Sequence, residues 1–315
     1  MQAVMYREFG EASVLQLEQV PLPPPPAAGE VQVTVRHVSL NPIDFKLRQG
    51  IMARLGLPRR PAVTGLDFAG VVAAVGRGVT DLAPGQRVFG SAAPFSGRGA
   101  CAERLNIAAR LVAPIPYSLS DETAACLPIA CGTAWQALIT HAGLHAGHTV
   151  LITGASGAVG AAAVQIAHAH DAHVHGVCHT RHLAEVRGMG AERVFDYTRD
   201  DWTRANVVYD VILDAAGVSR FGAVQHCLAR NGTYIHTQPG ASHVRAALWA
   251  RLSSRQRCVP FFLKKDRVLL HALGLLAQEG VLRPHVDRTV GLDGVAEAQR
   301  AMAAGQVHGK VCVRI

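Results

Sequence analysis

With 315 residues, of which 49% are hydrophobic, the chain is long for a single core, and we expect two domains. Its net charge of +8 comes from basic residues scattered through every segment, which argues against a nucleic-acid surface and agrees with an anionic cofactor. No apolar run reaches about 18 residues, no secretory leader is evident and the seven cysteines form no C-x-x-C pair, so we expect a cytoplasmic protein without a membrane span, disulfide framework or zinc knuckle.

A β-rich lobe is predicted for residues 1–125. Residues 31–35 alternate apolar and polar side chains, and residues 68–75 form an apolar run that Gly70 interrupts. Both patterns are typical of strands. A long turn at 76–85 leads into a further predicted strand. The sequence therefore predicts an antiparallel β lobe.

Residues 126–263 show a different pattern, in which short apolar runs alternate with helical lengths of chain. This alternation is typical of βαβ units and of a parallel sheet. The sequence therefore predicts an α/β domain with a doubly wound parallel sheet. Its predicted strands are 150–153, 173–178, 193–196, 207–214, 232–236 and 258–263, and its predicted helices are 161–169, 181–189 and 221–229.

The last predicted elements follow this α/β domain. Residues 268–278 and 295–303 have the apolar spacing of amphipathic helices, and residues 310–315 alternate as a strand does. We expect residues 264–315 to return to the β lobe and to complete that domain.

The loop 154–160 joins the first strand of the α/β domain to its helix. Gly157 lets the backbone approach phosphates and Gly160 lets the helix pack closely, whereas Ala155 stands where G-x-G-x-x-G has its first glycine. Such a loop is also found as an ordinary strand-to-helix connection, and the surrounding βαβ pattern favours a dinucleotide site at the helix N-terminus. The predicted binding residues of the loop are Ala155, Ser156, Gly157, Ala158 and Val159.

The end of the second strand predicts which dinucleotide binds. An NAD site places a carboxylate about twenty residues past the glycine loop, but residues 178–182 contain none. Thr180 and Arg181 instead suit a 2′-phosphate, and Cys178 and Tyr197 complete the predicted site. NADP(H) is the predicted cofactor. In the alternative interpretation Arg181 is a solvated residue of an ordinary first helical turn.

Several motifs together resemble one known family. The chain is similar to the medium-chain dehydrogenase/reductase superfamily, and within it to the zinc-independent quinone oxidoreductase (zeta-crystallin-like) branch. This resemblance implies a GroES-like catalytic domain over 1–125 and 264–315, a Rossmann domain over 126–263, and a homodimer. The motifs that carry it are 41–44, 64–72, 132–135, 154–160, 212–217 and the closing Gly309 and Lys310.

Departures from the zinc-dependent members concern the metal. Their catalytic zinc is held by a cysteine, a histidine and a further cysteine or acid, and the matching positions here are Asn41, Leu66 and Ile129. None of these residues supplies a thiolate or an imidazole, and two of them cannot ligate at all. We therefore expect no zinc.

Without a Lewis acid, reduction is easier than alcohol oxidation. The resemblance implies hydride transfer from NADPH to a quinone or an α,β-unsaturated carbonyl, the negative charge developing on an oxygen that hydrogen bonds stabilise. Asn41 and Thr133 are candidates for contacts to the nicotinamide end or the substrate. Lys46 is a candidate donor to the developing enolate, the alternative being a solvated lysine. The resemblance also assigns Phe261, Phe262, Leu263 and Lys310 to cofactor binding, although 261–263 equally suit a buried strand.

Other functions remain open. An enoyl-thioester reductase of lipid metabolism would share this cofactor site and would need room for an acyl chain. An NADPH-binding crystallin-like protein without important turnover, or an RNA-binding or regulatory protein, belongs to a different class. Scattered arginines and 5% aromatic residues offer no obvious stacking platform for RNA. The partner that we expect is a small quinone or enone, without nucleic acid or membrane.

Overall fold

The computed structural model describes residues 1–51, 53, 57–237, 245, 247–250 and 255–315. The chain forms two compact units. Unit 1 combines Met1–Ile129 with Lys265–Ile315, and unit 2 consists of Ala130–Lys264. The chain therefore enters unit 1 twice and unit 2 once.

The strands of the described residues belong to three sheets. In chain order they are β1 (Gln2–Tyr6), β2 (Gln16–Gln19), β3 (Glu30–Leu40), β4 (Ala62–Val63), β5 (Asp67–Val75), β6 (Arg87–Ser91), β7 (Arg104–Ala108), β8 (Val112–Pro114), β9 (Thr149–Thr153), β10 (His173–Cys178), β11 (Arg193–Asp196), β12 (Tyr209–Asp214), β13 (Leu228–His236), β14 (Arg257–Pro260), β15 (Val286–Val290) and β16 (Lys310–Arg314).

The α-helices of the same residues range from 4 to 12 residues in length. They are α1 (Pro42–Arg48), α2 (Asp121–Cys126), α3 (Pro128–Trp135), α4 (Ala158–Ala169), α5 (Leu183–Gly188), α6 (Phe221–Val224), α7 (Arg267–Gln278) and α8 (Val295–Ala303). No helix of the described residues has the length and apolarity that crossing a membrane requires.

Unit 1 is built around β3. This strand pairs antiparallel with β5, β7 and β16, in a sheet of order β15-β16-β3-β5-β6-β8. Val31, Val33 and Val35 of β3 are buried in the core of the unit. A Cβ atom on Gly70 of β5 would lie 2.2 Å from the backbone oxygen of Thr34, which explains the glycine inside that strand. The predicted β lobe is confirmed, and β16 pairs antiparallel with β3 of this sheet.

Unit 2 contains the predicted parallel sheet. Its order is β11-β10-β9-β12-β13-β14, and all neighbouring pairs are parallel. This is the doubly wound order of dinucleotide-binding domains, in which the direction of winding reverses between the first and fourth strands. Here that reversal lies between β9 and β12. Because every strand is parallel, all their carboxyl ends lie at one edge of the sheet.

Two predicted helices of unit 2 are shorter in the structure. The predicted helix 221–229 is reduced to α6, followed by a 3-10 turn at Gln225–Cys227. Leu228 already pairs with Tyr209 in the sheet, and this pairing outweighs helical propensity. The predicted helix 181–189 begins with a 3-10 turn at Thr180–His182 before α5.

Candidate active site

The glycine loop of unit 2 makes a close turn between β9 and α4. Gly154 has a φ of +63°, a left-handed conformation that glycine adopts without steric cost. A Cβ atom on Gly160 would lie only 2.1 Å from the Gly154 carbonyl oxygen, so the helix and the loop touch through backbone alone. Ala155 is buried beside Gly176 of β10 and its N–H donates to the Val177 carbonyl at 3.0 Å. Alanine is therefore accommodated where the usual motif has glycine.

The N-terminus of α4 follows this turn directly. The first N–H that bonds back along the helix is that of Ala161, which donates to the Gly157 carbonyl. The preceding N–H groups of Ala158, Val159 and Gly160 begin the helix and have no carbonyl four residues earlier within it. Together with the helix dipole they favour an anion. The loop thus fits the pyrophosphate of a dinucleotide.

The loops after β9 and β12 are tied together at the reversal of the sheet. Asp214 ends β12 and is fully buried. Its carboxylate accepts hydrogen bonds from the Thr153 hydroxyl at 2.6 Å and from the N–H groups of Gly217 and Ser219 at 2.8 and 2.7 Å. These bonds satisfy the buried carboxylate and hold the two loops in fixed positions.

The edge beyond β10 contains a carboxylate that sequence reasoning missed. Cys178 pairs in register with Asp196, the last residue of β11. The Thr180 hydroxyl donates to Asp196 Oδ2 at 2.5 Å, and Thr198 donates to Oδ1 through its N–H and its hydroxyl. The Thr180 hydrogen bond is the main cause that lowers the pKa of Asp196. Residues 178–182 contain no carboxylate, as the sequence indicates, but the adjacent strand β11 supplies one to this edge.

The other residues predicted at this edge differ in exposure. Arg181 is exposed and its Nε donates to His182 Nε2 at 3.0 Å. Tyr197 is 61% exposed, with its ring edge-on to His179. Cys178 is buried, and burial raises its pKa to about 11, so its thiol stays neutral and offers no anion.

Thr133 and residues 261–263 also belong to unit 2. Thr133 is buried in α3. Phe261 is buried with its ring 4.8 Å from that of His141, whereas Phe262 is 84% exposed. Leu263 is half-buried. Only one of the two aromatic rings is therefore presented to the outside.

Unit 1 contains a buried polar cluster centred on Asp67, the first residue of β5. Asp67 Oδ2 accepts hydrogen bonds from Asn41 Nδ2 and from the Ile129 N–H, both at 3.0 Å. Lys310 Nζ donates to Asn41 Oδ1 at 2.6 Å and lies 4.0 Å from Asp67 Oδ2. Burial raises the pKa of Asp67 and the Lys310 ammonium opposes that shift. The cluster therefore places the buried carboxyl of Asp67 beside the buried ammonium of Lys310.

This cluster occupies two of the three positions that match zinc ligands. Asn41 and Ile129 direct N–H groups at a carboxylate, and the buried Leu66 has no ligand atom. These residues do not fit a zinc ion, which requires nitrogen, sulfur or oxygen lone pairs from several side chains.

Asp44 is the second buried acid of unit 1. Its Oδ2 accepts the Asn41 N–H at 2.7 Å and so caps the start of α1. Burial raises the pKa of Asp44 to about 7, with the charge of Asp67 acting in the same direction. This carboxyl therefore titrates near neutral pH.

Two lysines of unit 1 have lowered pKa values. Lys46 lies on α1, and partial burial lowers its pKa. Lys265 Nζ donates to Ser91 Oγ at 2.9 Å and to the Ala92 carbonyl at 2.6 Å, and burial lowers its pKa despite the nearby Asp67 and Asp44. A lysine with a lowered pKa gives up its proton more readily.

The residues that sequence reasoning missed are Asp67, Asp44, Lys265 and Asp196. Asp67 and Asp196 could have been found from the sequence, because each is an aspartate at one end of an apolar strand. Asp67 is the first residue of β5, and Asp196 is the last residue of β11. The structure places Lys310 inside the Asp67 cluster, so its predicted contact with cofactor stays a prediction while its contact with Asn41 is seen.

Comparison with known proteins covers most of the chain. The family model for the alcohol dehydrogenase GroES-like domain matches residues 27–117, and the model for zinc-binding dehydrogenase matches residues 189–313.

Individual relatives extend this similarity to the full length. A chloroplast envelope quinone oxidoreductase homolog from Arabidopsis thaliana is 32% identical over 99% of this chain and 98% of its own. A chloroplastic NADPH-dependent alkenal/one oxidoreductase from the same plant is 33% identical over 69% of this chain and 58% of its own. The solved structure of a quinone oxidoreductase from Coxiella burnetii superposes with a TM-score of 0.90 at 29% identity, covering 100% of this chain and 99% of that one.

Proposed function

Because the chain belongs to the quinone oxidoreductase branch of the medium-chain dehydrogenase/reductase superfamily, we propose that it is an NADPH-dependent reductase of quinones or α,β-unsaturated carbonyls. The observation that carries this proposal is the glycine loop 154–160 at the reversal of a doubly wound parallel sheet. Relatives named as quinone oxidoreductase and as NADPH-dependent alkenal/one oxidoreductase support the reaction class. Unit 1 corresponds to the GroES-like catalytic domain and unit 2 to the Rossmann domain.

In this proposal the cofactor binds at the carboxyl edge of the unit 2 sheet. The backbone of 155–159 binds the pyrophosphate through N–H groups, and the exposed guanidinium of Arg181 pairs with the 2′-phosphate. Thr133 and the segment 261–263 contact the nicotinamide end. When bound, NADPH supplies the hydride, and the protein aligns it with the electron-poor carbon of the acceptor.

Residues of unit 1 act on the substrate in this proposal. Lys46, with its lowered pKa, donates a hydrogen bond and then a proton to the oxygen on which negative charge develops. The Asn41 amide is held by Ser39, Asp67 and Lys310. Both of its N–H hydrogens are thereby used, and its carbonyl oxygen keeps one lone pair for a hydroxyl donor of cofactor or substrate.

The proposed reduction uses no zinc, since Asn41, Leu66 and Ile129 offer no set of metal ligands. Elemental analysis of the purified protein tests this directly. We expect less than one-tenth of a zinc ion per chain, about the level of contamination, and one zinc per chain would overturn the proposal of zinc-free reduction.

One experiment tests the function as a whole. Purified protein is mixed with NADPH or NADH and with 1,4-benzoquinone, 9,10-phenanthrenequinone, a short enone or crotonyl-CoA, and the loss of nicotinamide absorbance is followed. We expect oxidation of NADPH with a quinone or the enone. Turnover of crotonyl-CoA alone would assign the alternative enoyl-thioester reductase, and no oxidation with any acceptor would contradict an enzyme of this class.

The proposed homodimer and cytoplasmic location rest on the family resemblance and on sequence composition. Size-exclusion chromatography with light scattering distinguishes a dimer from a monomer of 33.4 kDa. Fractionation of the source cells tests the location.

A further inference from the structure

Thr180 and Asp196 lie where the ribose of a dinucleotide would be read. In a doubly wound sheet the loop after the second strand contacts the ribose next to the adenine. Thr180 lies two residues beyond β10, and Asp196 ends the adjacent β11 in register with the last residue of β10. Asp196 is buried and Thr180 is exposed, so the hydroxyl is the part of this pair that a ligand can reach.

The hydrogen bond between them has a fixed direction. A carboxylate only accepts, and therefore the single hydrogen of the Thr180 hydroxyl points at Asp196 Oδ2. The Thr198 hydroxyl hydrogen is likewise given to Asp196 Oδ1. Thr180 Oγ also lies 3.3 Å from Thr198 Oγ. Its remaining lone pair would suit a ribose 2′-hydroxyl donor, and no hydrogen of Thr180 remains for a 2′-phosphate.

The charges around this edge oppose each other. The basic residues near it in the chain include Arg181, His179 and Arg199, and cations favour a phosphate. Asp196 and Asp200 are the acidic groups, Asp200 Oδ2 accepting the Asp196 N–H at 2.8 Å. A phosphate drawn in by Arg181 therefore meets two carboxylates, whereas an uncharged ribose hydroxyl does not.

We propose that Asp196 is a specificity-determining residue that limits the preference for NADPH over NADH by holding Thr180 as an acceptor and by opposing the 2′-phosphate. This inference rests on the proposed function, because it assumes a coenzyme at this edge. The unmodified protein accordingly binds both coenzymes, with Arg181 favouring NADPH and Asp196 restraining that preference.

The exchange Asp196→Asn tests this inference. An asparagine keeps an oxygen for the Thr198 N–H, removes the charge, and offers an N–H to Thr180, so that the Thr180 hydrogen is free to point outward. We expect the ratio of the Kd for NADH to the Kd for NADPH to rise about fivefold. Both constants are measured by titrating nicotinamide fluorescence without any acceptor.

The chain offers a matched control in Asp201. Its Oδ1 accepts from the N–H and the hydroxyl of Thr203 at 3.0 and 2.6 Å, the same local arrangement that Asp196 makes with Thr198. Asp201→Asn removes one charge from a neighbouring turn without touching Thr180, and we expect it to leave the ratio of the two constants unchanged. Equal shifts in both variants, or none in Asp196→Asn, would overturn the inference.

A second variant covers the case in which Asp196→Asn does not fold. Thr180→Val removes the hydroxyl with its remaining lone pair and keeps the branched shape, so we expect binding of NADH to weaken about threefold more than binding of NADPH. An equal loss for both coenzymes would count against the inference. Because no acceptor is present, absence of quinone or enone turnover leaves these results intact, whereas failure of the unmodified protein to bind either coenzyme would contradict the cofactor site itself.

Discussion

Asp44 shows how one buried carboxyl affects the stability of unit 1. Burial raises its pKa to about 7, whereas an aspartate in an unfolded chain titrates near 3.9. Between these values the folded protein holds a proton that the unfolded chain releases. Stability therefore falls as the pH rises through this window and levels off above about 7.

We predict that Asp44→Asn removes this dependence. The free energy of unfolding of the variant, relative to the unmodified protein, should rise by about 2–4 kcal/mol between pH 4.5 and pH 8, the upper figure corresponding to a shift of about three pKa units. Urea unfolding at a series of pH values measures it. Asp293→Asn, an exchange at an exposed aspartate of the same unit, serves as the control, and parallel profiles for Asp44→Asn and the unmodified protein would show that Asp44 is ionised throughout.

The exposed side chain of Arg181 is the group that we expect to recognise the 2′-phosphate. If its guanidinium pairs with the 2′-phosphate, Arg181→Ala should raise the KM for NADPH about tenfold and leave kcat nearly unchanged, because the phosphate is remote from the hydride. The KM for NADH should not move. Arg187→Ala, an exchange of another exposed arginine on α5, should leave both constants alone. An unchanged KM for NADPH in Arg181→Ala would mean that this side chain is merely solvated.

Some residues of the site could be predicted from the sequence, whereas contacts between distant residues could not. The glycines of the loop and the types of residue at Thr180 and Arg181 could be judged locally, since backbone conformation and side-chain chemistry are local properties. Asp196 could not be placed beside Thr180 without knowing that β10 and β11 pair in register. The hydrogen bond between Lys310 and Asn41 could not be predicted at all, because 269 residues separate them in sequence.

At the scale of elements, the close packing of α4 on the loop after β9 depends on glycine at position 160. A Cβ atom at Gly160 would lie 2.1 Å from the Gly154 carbonyl oxygen, which is backbone and cannot rotate away. We predict that Gly160→Ala moves the helix off the loop, destabilises the protein by about 1–3 kcal/mol and weakens NADPH binding more than tenfold.

Gly188→Ala provides the matched comparison. Gly188 ends α5, and a Cβ atom there would meet nothing within 4 Å. That exchange should keep NADPH binding and leave stability equal or raised by about 0.5 kcal/mol, because alanine restricts the unfolded chain. Thermal unfolding and the fluorescence titration report both quantities. Similar behaviour of the two variants would contradict the close contact between loop and helix.

The bounds of elements with a clear apolar pattern could be predicted from the sequence. The bounds of elements that depend on pairing with a distant strand could not. The strands 173–178 and 193–196 have the bounds that the sequence indicates, since each is a short apolar run between turns. The helix predicted at 221–229 gave way to β13 at Leu228, which pairs with Tyr209. α1 was not predicted as a helix, because its seven residues show no full apolar repeat.

At the scale of the whole molecule, distant segments meet inside unit 1. β16 lies between β15 and β3. The buried Arg48 of α1 donates through Nε to Gln299 of α8 at 2.9 Å. These contacts join the two stretches of chain that flank unit 2, so the fold of unit 1 requires its C-terminal segment.

Cys126 of α2 and Cys312 of β16 allow that junction to be measured. Their sulfur atoms are 3.3 Å apart, both side chains are fully buried, and 186 residues separate them in sequence. A disulfide needs the sulfurs about 1.3 Å closer. We predict that diamide, a small oxidant, takes two electrons and two protons from the thiols as the S–S bond forms.

The resulting ring encloses all of unit 2, and closing a ring of this size restricts the unfolded chain strongly. The oxidised protein should therefore migrate faster than the reduced protein on a denaturing gel without reductant, and peptide mapping should find the Cys126–Cys312 link. Cys312→Ser should abolish the faster band, while Cys101→Ser, an exchange of another buried cysteine of unit 1, should retain it. A faster band that persists in Cys312→Ser would show that different thiols pair and would contradict the predicted Cys126–Cys312 link.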